Sequence, residues 1–440
     1  LLAVRRRRPR GPCGPPAGWV LNPRSRDALA GLTAFLLPAL VGLGVHQQGL
    51  NLLDDGLWLL GGRLVSEGGV LYRDLFSIYG PARYFVLAPF LLLTGQQAVA
   101  LAIMKAVVDG FAGVLGFTWA RRLGAGRWAW LVPLGVIAVA PVYPRYLAAA
   151  AFAMWVGGAP WTGRRPWLTG LSWGGLALFG LDMAAYGAVM LAAGWWTAGR
   201  PFRPLGQMAA GAGAVAALTL LVAGLRGSLG ALWWDAVVYP ATRFGGAMGV
   251  SWWEAFRDGA LLGDVFAGHH TGEVFEAAWP GQSVLRALGL RLMYLLAWIL
   301  PVALLITGHR RRDARLSVVA ALGIAGWATL AARGDVEHLK LVWFALLLMT
   351  PVFLGLLAGW RRPFAWVGLG LAVLTLAPLG AEQVGLAASR GRAGLVVWER
   401  PGAGVLLAAE RRDALEEIAT MMDDGNTESI QVWPAQPGLH

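Results

Sequence analysis

One stretch near the start of the chain, Ala28 to Val45, reads ALAGLTAFLLPALVGLGV and carries no charged side chain. A helix that crosses a lipid bilayer needs roughly 20 mainly apolar residues. The basic run Arg5 to Arg8 precedes this stretch, and basic residues collect on the cytoplasmic side of membrane proteins. No small-residue cleavage pattern follows it. The stretch therefore predicts an uncleaved signal-anchor helix that follows a cytoplasmic N-terminus.

The composition of the whole chain resembles that of this stretch. Of its 440 residues, 57% are apolar and only 14% are charged. A net charge of +12 would suggest a nucleic-acid partner in a soluble protein, but here the basic residues form short clusters between apolar stretches, so we expect no nucleic acid. The single cysteine, Cys13, excludes an intramolecular disulfide and cysteine-based zinc sites. The sequence predicts an all-α polytopic membrane protein.

The basic clusters predict the orientation of every span, because they mark the cytoplasmic ends of the helices. They predict a multi-pass membrane protein with its N-terminus inside and its C-terminus outside. About eleven transmembrane helices are expected, at residues 28–46, 98–119, 128–143, 145–160, 167–181, 183–198, 206–224, 283–307, 316–332, 340–358 and 364–380.

The spans divide the chain into three parts. Residues 1–27 are predicted to form a basic cytoplasmic N-terminus, residues 28–380 a transmembrane domain, and residues 381–440 a short extracytoplasmic α/β segment. Two long outer loops are expected, at 46–97 and 225–282. The apolar run from Pro81 to Thr94 is too short to cross a bilayer, so it predicts a helix at the outer interface. Within the C-terminal segment the pattern indicates a strand at 394–398, a helix at 411–422 and a strand at 429–433.

Two adjacent carboxylates, Asp54 and Asp55, follow the first span. At the outer mouth of a helix bundle such a pair suits a general base or a metal ligand. The alternative is a solvated loop in which Asp55 caps a helix. The next stretch, Gly68 to Pro81, places aromatic side chains around Arg73 and Asp74, and this favours a functional loop.

Several runs together resemble the outer loops of bacterial GT-C glycosyltransferases, the polytopic enzymes related to protein O-mannosyltransferases and aminoarabinose transferases. The family often has an arginine before the aspartate that corresponds to Asp182, where this chain has Phe179-Gly180-Leu181. The runs that carry the resemblance are Asp54-Asp55-Gly56, Tyr72-Arg73-Asp74, Tyr79-Gly80-Pro81, Gly180-Leu181-Asp182, the segment from Trp234-Asp235 to Arg243, and Arg333 to Leu339.

The resemblance implies a GT-C-like helix bundle in the cytoplasmic (inner) membrane, which moves a hexose from a polyprenyl-phosphate sugar to an acceptor hydroxyl at the outer face of that membrane. The acceptor class stays open among lipid, glycan and protein, and membrane lipids are the other expected partners. Asp54 is the first choice for the base and Asp55 its competitor. If a divalent cation takes part, the same two carboxylates are its expected ligands. The expected substrate-binding residues are Arg73, Asp74, Asp182, Arg243, Arg333, His338 and Lys340, of which the last three are candidates for the donor phosphate.

Lys105 and Asp109 lie four residues apart within the second predicted span. Side chains with this spacing share one face of a helix, and a lone charge within a membrane costs roughly 2.5–3.5 kcal/mol. Mutual pairing is therefore the favoured interpretation, with contact to the donor phosphate as the alternative.

A transporter or lipid carrier is the alternative to an enzyme. A transporter would place ionisable groups near the bilayer midplane, whereas the candidate residues here collect at one membrane face. A lateral groove at the outer leaflet beside Asp54 would favour the enzyme, and a polar pathway through the bundle would favour the carrier.

Overall fold

Helices make up most of the protein that the structure describes. The structure is a computed structural model, and it describes residues 23–46, 54–95, 97–158, 165–199, 203–240, 242, 282–332, 336–360, 362–389, 395–398, 405–408 and 420.

Within those ranges we number the helices α1 to α14 in chain order. A 3-10 segment, Gly126–Trp130, precedes α5, and a π-helical segment, Trp234–Val238, follows α10. The helices are α1 Pro23–His46, α2 Asp54–Ser66, α3 Ala82–Leu93, α4 Val99–Arg122, α5 Leu131–Val139, α6 Pro144–Gly158, α7 Pro166–Ala177, α8 Leu181–Ala198, α9 Arg203–Leu225, α10 Leu229–Trp233, α11 Gln282–Arg311, α12 Ala314–Ala332, α13 Val336–Trp360 and α14 Arg362–Ser389.

Each of the eleven predicted spans coincides with a helix of the structure, namely α1, α4 to α9, and α11 to α14. In the described residues, stretches of α1, α4, α9, α11 and α13 are long and apolar enough to cross a membrane. The predicted all-α polytopic membrane fold is confirmed. The number of crossings stays a prediction, because α5, α6 and α7 are shorter than a full span.

Small residues let the helices of the bundle approach closely. Where α1 packs against α4, a Cβ added to Gly113 would collide with the Ala34 carbonyl oxygen, and one added to Gly110 would meet the Phe35 ring. Glycine at such positions brings two backbones together, which is how transmembrane helices gain packing contacts without a hydrophobic driving force. Two helices connect most of the bundle: α12 packs against α6, α8, α11 and α13, and α13 packs against α4, α5, α11, α12 and α14.

The helix ends sort into two faces. At one face Arg121 on α4 bonds Asp27 on α1, the Arg127 guanidinium lies over the Trp366 ring, and Trp196 stacks on His309. We call this the arginine face. The opposite face, where α1 ends and α2 and α3 lie, is called the loop face. The basic clusters in the sequence predicted which helix ends lie together at the arginine face.

The two short helices of the first outer loop pack on each other. The predicted interfacial helix is present as α3 and exposes Phe85, Leu92 and Leu93, as a helix resting against lipid would. The other helix, α2, begins at Asp54. Asp55 is therefore within its first turn and does not cap it.

The C-terminal segment contains one hairpin in its described part. The strand predicted at 394–398 is present as β1, Leu395–Trp398, and it pairs antiparallel with β2, Val405–Ala408. The second strand was not predicted, because a four-residue apolar run has no distinctive period. Within the helix predicted at 411–422, the structure describes Thr420 alone. The strand predicted at 429–433 lies outside the described residues.

Candidate active site on the loop face

A buried ion pair joins the first outer loop to the membrane bundle. The Lys105 ammonium on α4 donates to Oδ1 of Asp55 on α2 at 2.7 Å, and both side chains are at most one-tenth exposed. A buried charge is tolerated where it is paired, so each of these groups stabilises the other. The pair holds the aspartate-bearing end of α2 against the mouth of the bundle.

A second buried carboxylate, Asp109, lies one turn further along α4. Its Oδ2 is 2.7 Å from the His46 Nε2 at the end of α1, and its Oδ1 accepts the Val142 amide at 2.7 Å. Asp109 is fully buried. It therefore ties together the end of α1, the middle of α4 and the residues between α5 and α6.

The predicted pairing of Lys105 with Asp109 is wrong. Each of the two residues has a partner on another element, Asp55 and His46 respectively. The spacing of four residues makes pairing within the helix possible, but tertiary packing supplied each residue with a buried partner at 2.7 Å on another element. Sequence spacing along one helix carries no information about the groups that neighbouring elements present.

An arginine flanked by aromatic rings lies next to this ion pair. The Arg83 guanidinium is 4.4 Å from the centroid of the Trp58 ring and 4.1 Å from that of the Tyr79 ring. Trp58 is three residues after Asp55 and so shares its face of α2. Its indole N–H donates to the Arg83 carbonyl at 2.8 Å. The stack forms a rigid, cationic and aromatic wall beside Asp55.

The wall continues to a second arginine, on α6. The Trp58 ring lies 6.0 Å from that of Tyr143, which in turn contacts Tyr146 edge-on. The Arg145 guanidinium lies 4.7 Å from the Tyr146 ring centroid and donates to the Tyr146 hydroxyl at 2.7 Å. Arg145 also interacts electrostatically with Asp182 and Tyr79.

Asp182 thus has a basic neighbour although none precedes it in the chain. Asp182 is exposed, in the first turn of α8, and it interacts electrostatically with Arg145 on α6.

The first outer loop docks on the turn between α7 and α8. The Ala82 amide donates to the Leu178 carbonyl at 2.9 Å. Gly80 lies so close to that carbonyl and to the Phe179 backbone that no Cβ would fit. The run Tyr79-Gly80-Pro81 and the segment leading to Asp182 are therefore in contact, although about a hundred residues separate them.

Ser77 links the same loop to the segment after α9. Its amide donates to Asp235 Oδ2 at 3.1 Å, and its hydroxyl is 2.6 Å from the Tyr84 hydroxyl. Burial raises the pKa of Asp235, and the hydrogen bond from the Ser77 amide offsets part of that rise. The buried Asp235 carboxylate thus holds this part of the first outer loop against the segment after α10.

Arg73 and Asp74 form an exposed pair with one another. The Arg73 Nε donates to Asp74 Oδ1 at 2.7 Å, and the Val70 amide donates to Oδ2 at 2.8 Å. The hydrogen bond from Arg73, together with that from the Val70 amide, lowers the pKa of Asp74. Arg73 also donates to the Arg226 carbonyl beyond α9. The two predicted substrate-binding residues, Arg73 and Asp74, therefore lie at the exposed edge of the loop.

The remaining predicted residues cannot be assigned contacts. Arg243 and Arg333 lie outside the described residues, and of His338 and Lys340 on α13 the structure describes the backbone alone. The same holds for Asp54, the first residue of α2.

A divalent cation does not fit Asp55 in this arrangement. The Lys105 ammonium occupies Oδ1, and its positive charge opposes that of a metal ion. Within the described part of the chain, no group of three His, Cys, Asp or Glu side chains could hold a metal. We therefore assign no step to a metal.

Three contributors to the site were absent from the sequence-based set: Lys105 as the partner of Asp55, Arg83 and Arg145. Each carried a visible signal, because a charged residue within an apolar stretch is costly and needs a partner. What the sequence lacked was the identity of the partner.

The buried acidic and basic side chains lie in one half of the bundle. In the described part of the chain these are His46, Asp55, Lys105, Asp109 and Asp235. Asp235 and Asp55 have their partners in the first outer loop or where it meets α4. The pair of His46 and Asp109 lies deeper, near the middle of α4. Asp109, the deepest, is 13 residues before the end of α4 at the arginine face, which is about 20 Å at 1.5 Å per residue.

No family model and no curated protein sequence matches the chain. Among solved structures it is similar to the archaeal oligosaccharyltransferase AglB from Archaeoglobus fulgidus, in complex with an inhibitory peptide and a dolichol-phosphate. The two share 14% identity with a TM-score of 0.46, and the match covers 93% of this chain. The chain spans 60% of the length of that structure.

Proposed function

We propose that the protein is a glycosyltransferase that moves a hexose from a polyprenyl-phosphate sugar to an acceptor hydroxyl at the loop face. The observation that carries this proposal is the buried pair of Asp55 and Lys105 beside the stack of Trp58, Arg83 and Tyr79. It combines a carboxylate, a cation and flat aromatic surface at one end of a membrane bundle, as transfer from a lipid phosphate requires. The resemblance of the outer loops to GT-C enzymes supports the same class.

In the proposed reaction the acceptor oxygen attacks the anomeric carbon of the sugar. The bond between that carbon and the phosphate oxygen breaks, its electron pair leaves with the polyprenyl phosphate, and the acceptor proton passes to an aspartate. Direct displacement inverts the anomeric centre. A positioned base typically contributes about 10²–10⁴-fold to such a step.

The ion pair favours Asp54 over Asp55 as that base. Proton transfer to Asp55 would neutralise the counter-charge of Lys105 and leave a buried ammonium unpaired, which is strongly unfavourable. Asp55 is better suited to position Lys105. The ammonium has three donors, so while it bonds Asp55 it has donors left for the oxygens of the departing phosphate.

The aromatic wall suits the sugar and its charged neighbours. Aromatic rings offer flat apolar area for the face of a hexose, and the guanidinium of Arg83, fixed over Trp58 and Tyr79, offers hydrogen-bond donors. Asp182, exposed and electrostatically coupled to Arg145, is our candidate for contact with sugar hydroxyls.

The distribution of buried charge supports the enzyme over the carrier. A transport pathway needs ionisable groups along the depth of the bundle. In the described ranges the buried acidic and basic side chains extend from the loop face to Asp109 near the middle of α4, and none lies between Asp109 and the arginine face. The lateral groove expected beside Asp54 stays a prediction, because the side chain of Asp54 lies outside the described residues. A groove between α4 and α6 opens at the other end of α4.

The test is sugar transfer in proteoliposomes supplied with labelled polyprenyl-phosphate hexoses and membrane-extract acceptors. Asp54→Asn should reduce transfer by about 10²–10⁴-fold and leave donor binding intact. Asp55→Asn should weaken both donor binding and stability. The double variant Asp55→Asn with Lys105→Met removes both buried charges, so it should regain stability without regaining transfer.

Glu67→Gln is the matched control, because it converts a carboxylate to an amide in the exposed pair of Arg63 and Glu67 near the same helix. Its transfer should equal that of the wild type. Absence of transfer by folded wild-type protein with every donor and competent acceptors would reject the enzyme and favour the carrier.

A further inference from the structure

A laterally open groove lies between α4 and α6, away from the loop face. Its volume is about 430 Å³, which is within the range of roughly 300–1,000 Å³ of small-ligand sites. Five of its lining residues are Val114, Leu115 and Thr118 on α4 and Leu147 and Met154 on α6. The lining is almost wholly apolar, so its occupant is expected to be a hydrocarbon chain.

The length of the groove corresponds to one leaflet of a bilayer. It extends along α4 from Phe111 to Arg122, a rise of about 16 Å at 1.5 Å per residue. Half of a hydrocarbon core of roughly 30 Å has nearly the same thickness. Phe111 at one end is 52% exposed and Ala151 in the wall is exposed, so the groove opens sideways to lipid.

The groove ends in a positive charge at the arginine face. Arg122 lines that end, and no side chain in the described ranges forms an ion pair with it. Its neighbour Arg121 is already engaged, because its guanidinium bonds Asp27 at 2.7 Å and lies over the Phe117 ring. Of these two adjacent arginines, one is committed to the protein and the other faces the groove.

We propose that this groove binds a phospholipid with an anionic headgroup, from the leaflet at the arginine face. One acyl chain would lie along α4 and α6, and the headgroup phosphate would accept hydrogen bonds from the Arg122 guanidinium. An arginine matches a phosphate with parallel donors, and basic residues between transmembrane helices are typical of sites for anionic lipid headgroups. The site is separate from the proposed active site and does not depend on it.

Photo-crosslinking in nanodiscs tests the site without any activity measurement. The probe is phosphatidylglycerol with a diazirine on one acyl chain, added as a tracer to phosphatidylcholine, and labelled peptides are mapped by mass spectrometry. Labelling is expected on residues 111–118 and 147–154. Arg122→Gln should reduce it about fivefold, the factor that one basic residue near the membrane surface contributes to anionic-lipid binding. Arg121→Gln should leave it unchanged.

Two further measurements separate a site from ordinary lipid contact. A phosphatidylcholine probe with the same labelled chain should react much less than the phosphatidylglycerol probe with the wild-type protein. Ala151→Trp, which fills the groove, should abolish labelling there. Equal labelling by the two probes, or full labelling of Arg122→Gln, would mean that bulk lipid merely wets the groove and would overturn the proposal.

Discussion

Two ion pairs of the same length lie at opposite ends of the bundle. Lys105 and Asp55 at the loop face, and Arg121 and Asp27 at the arginine face, are each 2.7 Å apart. The first pair is 10% and 8% exposed, the second 45% and 64%. Water screens the second pair and can replace either partner, whereas the first pair has no such substitute. Two ion pairs of equal length are therefore expected to contribute unequally to stability. Removing one partner of the buried pair should destabilise the protein more than removing one partner of the exposed pair.

The largest effect is expected from Asp109→Ala. This substitution leaves the Val142 amide and the His46 ring without their buried acceptor. Breaking a buried pair by removing one partner typically costs about 3–5 kcal/mol. Thermal unfolding in detergent, followed by circular dichroism, should show a large drop in melting temperature. A wild-type melting temperature would mean that burial at the loop face has no special energetic weight.

A smaller effect is expected where the first outer loop meets the turn before α8. Gly80→Ala would place a methyl group against the Leu178 carbonyl, and overpacking of this kind costs about 1–3 kcal/mol. Because the contact also aligns the loop with Asp182, sugar transfer should fall together with stability. Gly175→Ala at the end of α7, where a Cβ meets open space, is the control. Equal behaviour of the two variants would contradict the proposed docking role of Gly80.

The third prediction concerns pH and Asp235. Its pKa is raised by burial above the ordinary value of 3.8, so the folded state favours the protonated form. The contribution of Asp235 to the free energy of unfolding is fully present below the ordinary pKa of 3.8. It is lost as pH rises through the raised pKa of the folded state. Asp235→Asn should therefore gain melting temperature relative to the wild type as pH increases. A difference that stays constant between acid and neutral pH would show that burial does not control this group.

The smallest effect is expected from Arg121→Gln at the arginine face. An exposed pair contributes about 0–1 kcal/mol and is screened by salt. The melting temperature should change little, and any change should shrink in high salt. A loss comparable to that of Asp109→Ala would remove the distinction between the two ends of the bundle.

Much of the architecture was predictable because membrane insertion is read from long local patterns. Apolar stretches predicted the positions of eleven helices, and arginine clusters predicted which helix ends lie together. Both signals depend on averages over many residues. The hairpin partner β2 was missed because four residues do not form such an average.

The candidate site was predictable in composition but not in its contacts. Asp55, Asp182 and the run Tyr79-Gly80-Pro81 were identified from the sequence, and the structure brings the last two together. The partners were the unpredictable part. Lys105 bonds Asp55 across 50 positions of the chain, and Arg145 interacts electrostatically with Asp182 from another helix.

The sequence by itself determined that this is a membrane bundle with charged groups inside it, because the cost of apolar surface in water and of charge in lipid acts residue by residue. Tertiary structure alone decided which charges neutralise each other. A buried carboxylate accepts whichever cation the packed helices bring within hydrogen-bond distance, and Asp109 illustrates this, since it bonds His46 on α1 and not Lys105 one turn away on its own helix. That choice depends on how the helices cross, which no single segment encodes.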